Sequence, residues 1–176
     1  MLDRDPRSFD RLRTGWKLNM AIEEGDKLPD IELDTPSGGT ISLKDQAGRP
    51  FILYFYPKDD TSGCTREAQD FSAMLPEFEA LGASVLGVSK DGAIKHQKFI
   101  TKYDLTVPLA TDTDGKAMEI FDVWVEKQLY GKRYMGIDRS TFLFAPDGKL
   151  WRIWRRVRVP GHAVDVLESV KQLLAR

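Results

Sequence analysis

Along the chain, short stretches whose apolar residues alternate with polar ones, or run unbroken, are separated by longer stretches whose apolar residues recur every third or fourth position. In "LPDIELDTPSGGTISLKD", Ile31 and Leu33 alternate with Glu32 and Asp34, and a Pro/Ser/Gly cluster divides the stretch, which predicts two short strands about a turn. "PFILYFYP" is instead apolar or aromatic without interruption from Phe51 to Tyr56 and is stopped by Pro57. That pattern predicts a central strand covered on both faces, and such a strand needs helices on both sides.

The next segment supplies a helix. Cys64, Ala68, Phe71, Leu75 and Phe78 repeat at helical spacing, so the cysteine falls on the inward stripe, and Pro76 predicts a bend or restart near residues 72–76. "ASVLGVS" reads as a second buried strand, after which Asp91 is placed to cap a helix beginning "GAIKHQKFITKY". "VPLAT" is a third strand and "DGKAMEIFDVW" a short helix. "STFLFA" and "LWRIWRRVRV" form a hairpin about "PDGK", where Asp147 and Gly148 provide the turn. Ala163, Val166, Leu167, Val170, Leu173 and Leu174 give a closing helix from Gly161 one apolar face. The order predicts an α/β fold: a parallel pair extended by an antiparallel ribbon in a central mixed β-sheet, flanked by helices on both faces.

Composition narrows the chemistry. The 176 residues suit one domain, expected over 20–176, and residues 1–19, charged and poor in apolar spacing, are expected to be a disordered tail or extension. With 26 basic against 27 acidic residues, the overall field gives no reason to expect nucleic acid as a partner. The aromatic and basic residues of "WRIWRRVRV" read as a solvated strand edge. One cysteine allows no internal disulfide, and with two histidines it leaves too few ligands for a structural zinc site, so no metal is expected. No apolar run is long enough to span a bilayer and no signal-peptide core is present, so the expected location is the cytoplasm, away from membranes. "TDTDGK" lacks the twelfth-position glutamate of a calcium loop and reads as a capping turn, and no cofactor fingerprint appears. Nothing places His96 or His162 near the cysteine, and His162 reads as a surface or capping-region residue.

The single cysteine carries the argument about function. Cys64 follows a buried strand and opens a helix, where unpaired amides and the helix dipole favour a thiolate. Gly63 allows close backbone approach, Thr61 offers a hydroxyl and Pro57 stiffens the loop. Thiolate formation alone accomplishes little. Lowering a thiol's pKa by a few units raises its thiolate fraction about tenfold and costs comparable nucleophilicity, so fast chemistry needs donors aimed at the transition state. Arg139 is a candidate, since a permanent charge at the opening of a buried strand needs an anion; an ion pair with Asp138 or Asp122 is the alternative.

"YPKDDTSGCT" resembles the peroxiredoxin active-site pattern Pro-x-x-x-Thr-x-x-Cys at Pro57, Thr61 and Cys64. "LGVSKD", "HQKFITKYDL", "DRSTFLFAPDGKL" and "GHAVDVLESV" are similar to the bacterioferritin comigratory protein, or PrxQ, branch. The resemblance implies a thioredoxin-like fold and a thiol-dependent peroxidase acting on hydrogen peroxide and organic hydroperoxides, with no cofactor. It implies that Cys64 is the peroxidatic nucleophile, that Thr61 bonds the peroxide, and that Arg139 aligns sulfur and peroxide. Pro57 then shields the pocket, Gly63 lies within it, and Glu67 steers the guanidinium.

Two positions depart from the branch: Ser62 replaces a second proline, and Gln69 stands where many members carry a resolving cysteine. With no other cysteine, the implied cycle is of one-cysteine type, closed by an external thiol such as thioredoxin, or glutaredoxin with glutathione. Monomer and homodimer both remain open, as do two other uses of this scaffold: a thiol-based peroxide sensor, or a non-catalytic binding module.

Overall fold

The computed structural model describes residues 21–176, so the expected tail lies outside the described residues. The elements run β1 (Glu32–Asp34), β2 (Thr40–Ser42), a 3₁₀ turn (Lys44–Gln46), β3 (Phe51–Phe55), α1 (Ser62–Ala80), β4 (Ser84–Ser89), α2 (Ala93–Tyr103), β5 (Leu109–Thr111) and α3 (Lys116–Ile120). They continue with β6 (Trp124–Leu129), β7 (Lys132–Ile137), β8 (Ser140–Phe144), β9 (Leu150–Trp154) and α4 (His162–Ala175). Seven strands make one sheet in the order β2-β1-β5-β4-β3-β8-β9. The β3–β4 and β4–β5 pairs are parallel and the other pairs antiparallel, the mixed α/β arrangement expected.

β3 is buried at every residue because its two faces feed two cores. Ile52, Tyr54 and Tyr56 pack with the apolar stripes of α1 and α4 and with Phe99 of α2. Phe51, Leu53 and Phe55 pack on the other side with Leu33, Met118, Phe121, Phe142 and Phe144. Each core removes several large side chains from water, and full burial of one such side chain stabilises by about 1.5–3 kcal/mol. The two together hold the end of β3, where the cysteine loop begins, at a fixed place.

Tyr54 lies beside Gly87 across the parallel β3–β4 pair. A Cβ at residue 87 would stand 2.5 Å from the Tyr54 ring, so glycine is required there by close approach.

Several expectations need correction. α1 runs without a break through Pro76. The proline removes the amide that would have bonded the Ser72 carbonyl, and the Thr106 hydroxyl donates to that carbonyl instead, at 3.2 Å. The N-cap of α2 is Gly92, and Asp91 makes no cap bond. Asp91 accepts hydrogen bonds from the Asp59 amide and the Ser89 hydroxyl and pairs with Lys95. β9 ends at Trp154 rather than continuing to Val159. The β6–β7 hairpin, turning through Tyr130 and Gly131 at positive φ, has no counterpart in the sequence reading, because its strands are largely exposed and leave little apolar alternation.

Other readings hold. β9 is a sheet edge, as expected, although of the basic residues in that stretch only Arg152 lies within the strand. The Asp112 carboxylate accepts the amides of Ala117 and Met118, which makes "TDTDGK" a capping turn.

Candidate active site

Cys64 is the third residue of α1, and its side chain faces the core at 1% exposure. Thr61 is the N-cap, with extended backbone and no side-chain capping bond. Its exposed hydroxyl donates to the Lys58 carbonyl at 2.9 Å, so the proton is engaged and the oxygen lone pairs stay open. Pro57 is half-buried at the exit from β3.

Arg139 precedes β8 and bridges two side chains, those of Cys64 and Glu67. One nitrogen donates to Cys64 Sγ at 3.3 Å and another to Glu67 Oε1 at 2.8 Å. The expected alternatives, Asp138 and Asp122, are not its partners among the described residues. Antiparallel pairing of β8 with β3 carries the guanidinium to the start of α1. Gly63 then leaves room for it: a Cβ there would lie 3.0 Å from Arg139 Nη2.

The environment of the trio is dry. Burial pushes the Glu67 carboxyl up to about 7, although the Arg139 charge and hydrogen bond pull it down. Its Oε2 has no hydrogen-bond partner among the described residues, as does the Tyr54 hydroxyl. Burial also raises the Tyr54 phenol, with Glu67 and Cys64 adding to the effect. The site therefore places a polarisable nucleophile beside a fixed cation in a low-dielectric pocket, where the interaction of charge with developing charge is strongest. On the solvent side, burial lowers the pKa of Lys127, and the charges of Asp138, Arg139 and Cys64 reach it, which sets β6 beside the site.

The AhpC/TSA family matches residues 24–153. The chain belongs to this family. A Bacillus subtilis peroxiredoxin Bcp is 46% identical over 154 residues, covering 88% of this chain and 98% of that protein. A Xanthomonas campestris peroxiredoxin Bcp is 47% identical over 149 residues, covering 82% and 93%. Among solved structures, the Xanthomonas campestris bacterioferritin comigratory protein, described for its alkyl peroxide reduction activity, superposes with a TM-score of 0.79 at 43% identity. It covers 85% of this chain and 98% of that one. A Xylella fastidiosa PrxQ structure gives a TM-score of 0.81 at 39% identity, covering 86% and 96%. The chain is thus a peroxiredoxin of the Bcp/PrxQ branch with a thioredoxin-like fold, a thiol-dependent peroxidase. Among its described residues no helix is long and apolar enough to cross a membrane, and no His/Cys/Asp/Glu group could hold a metal ion.

Sequence reasoning brought together Cys64, Arg139, Glu67 and Gly63. It gave His96 no place in the core, and of its reading of His162 the capping-region position holds, since that residue opens α4, while the surface alternative does not. His162 is buried, bonded through Nε2 to Thr141 Oγ1 at 2.8 Å and packed edge-on to Phe71 and Trp154. Burial lowers its pKa to about 4, so it is neutral near neutral pH. His96 is fully buried and bonded to Asp59 of the cysteine loop. A signal was present: His96, Phe99 and Tyr103 stand three and four residues apart, one inward stripe of α2.

Proposed function

We propose that Cys64 is the peroxidatic cysteine and that the protein reduces hydrogen peroxide and alkyl hydroperoxides by direct attack of sulfur on oxygen. The observation that carries this reading is the Arg139 guanidinium, donating at once to Cys64 Sγ and to Glu67 beside the entrance of α1. The thiolate attacks one peroxide oxygen, the O–O bond breaks, and its electron pair leaves with the other oxygen, which departs as water or alcohol after taking a proton. Cys64 becomes a sulfenic acid. Arg139 stabilises negative charge as it passes from sulfur to the leaving oxygen. Thr61, whose proton is committed to Lys58, accepts a hydrogen bond from the peroxide O–H. Pro57 walls the pocket and Gly63 admits the guanidinium.

With one cysteine in the chain, the sulfenic acid is reduced from outside. A first thiol forms a mixed disulfide and releases water; a second returns Cys64 and leaves as the disulfide. Thioredoxin, or glutaredoxin with glutathione, in the cytoplasm fits this requirement, and a monomer or a homodimer can carry it out. Two structures of the Xanthomonas campestris relative are Cys-to-Ser variants at different positions, so that protein has at least two cysteines where this chain has one.

Mixing reduced protein with one equivalent of hydrogen peroxide is expected to consume one thiol within seconds at micromolar concentrations and give an adduct with a sulfenic-acid trap. No consumption on that scale overturns the reading. Cumene hydroperoxide in place of hydrogen peroxide tests the alkyl class.

A further inference from the structure

The loop between β3 and α1 is tied to α2 through both of its aspartates. Asp59, 4% exposed, accepts a hydrogen bond from the Tyr56 hydroxyl at 2.6 Å on Oδ1 and faces His96 Nδ1 at 2.7 Å on Oδ2. The other nitrogen of His96 faces the Ala110 carbonyl of β5 at 3.1 Å. Asp60, in the left-handed region at φ 60°, is held by Lys102 and the Tyr103 hydroxyl. The charged and titratable groups around His96 are Tyr56 and Asp59, with Asp91 and Lys95 bonded beyond the Asp59 amide.

Proton counting follows from the partners. A carbonyl only accepts, so Nε2 carries hydrogen. Tyr56 gives its proton to Oδ1, and the short Nδ1–Oδ2 contact needs one proton of its own. The buried atoms of Tyr56, Asp59 and His96 are thereby all partnered, which ties the loop to α2 and β5.

We propose that His96 is the positioning residue of the catalytic loop: sealed between Asp59 and the Ala110 carbonyl, it fixes Asp59 and with it the Lys58 carbonyl and Thr61 relative to the sulfur. It never touches substrate. Its effect reaches Cys64 through the two residues that separate Asp59 from the α1 N-terminus.

The test has three arms on the full chain. In ¹⁵N-histidine spectra of the reduced protein, the His96 ring signals are expected to move on Asp59→Asn while those of His162 stay in place. His96→Asn, and Asp59→Asn as the second variant, are expected to slow peroxide attack at least tenfold and to speed alkylation of Cys64 by iodoacetamide several-fold, because the loop that covers the sulfur loosens. Leu43→Ala, in the core on the opposite face of the sheet, serves as the stability control and is expected to leave both rates near wild type. Unmoved His96 ring signals, parallel changes in the two rates, or changes matched by the control overturn the proposal. Its kinetic arm rests on the peroxidase reading, whereas failure of that reading shows separately as an unreactive wild type and leaves the spectral and alkylation arms to decide.

Discussion

At the scale of single residues, the separation between making a thiolate and using it rests on Arg139. Its nitrogen lies 3.3 Å from Sγ, so removal strips the transition state of a charged donor, an effect of about 10²–10³-fold where such donors have been deleted. Arg139→Ala is expected to slow peroxide attack by roughly that factor and iodoacetamide alkylation by less than about tenfold, read by stopped flow; equal losses show that the guanidinium only maintains the thiolate. Gly63→Ala probes the same contact more gently, since the new methyl meets Nη2 at 3.0 Å and moves it by tenths of an ångström, with a smaller loss of the same selectivity. That Thr61, Gly63 and Cys64 stand together at the helix entrance was legible because the motif fixes residue types at fixed offsets from a strand end. The Asp59–His96 pair was not, since its partners sit on different elements and the partnership exists only once α2 has packed on β3.

Elements show the same limit differently. Helix and strand periodicity located the sheet-forming and core-facing segments, because burial imposes it. It could not foresee that a proline would sit inside α1 without breaking it, since the compensation comes from a distant loop. Thr106→Val removes the hydroxyl that serves the Ser72 carbonyl and is expected to cost about 0.5–1.5 kcal/mol in urea unfolding. Adding Pro76→Ala restores an amide able to bond that carbonyl, so the double variant is expected to recover most of the loss. Additivity of the two changes counts against the compensation. The β6–β7 hairpin escaped for the converse reason: exposed on most positions, it carries no burial pattern to read.

Over the whole molecule, two buried groups set opposite dependences of stability on pH. Glu67 is raised from 4.5 to about 7, so its contribution is fully present below pH 4.5 and is lost as pH rises through 7. His162 is lowered from 6.5 to about 4, so its contribution is present above pH 6.5 and is lost as pH falls through 4. Each shift corresponds to about 3 kcal/mol, and between pH 4.5 and 6.5 the two slopes offset. Glu67→Gln is expected to steepen the loss of stability below pH 6.5 relative to wild type, and His162→Gln to make stability rise as pH drops from 7 to 4.5. Parallel profiles for wild type and both variants in denaturant titrations refute the assignment. The mixed α/β class was readable because strand direction and layer packing follow from periodicity and connection rules, whereas the order of the seven strands was not read. A finer constraint hides in the pair Tyr54 and Gly87, where one phenol occupies the space of a side chain its neighbour lacks. Since that ring also stacks on Phe71 of α1, its centroid 4.6 Å away, the thickness of one aromatic gauges how far the cysteine-bearing helix rides above the sheet. Substitutions at those two sites are consequently coupled in their effect: a bulkier residue on one strand demands a slimmer one on the other.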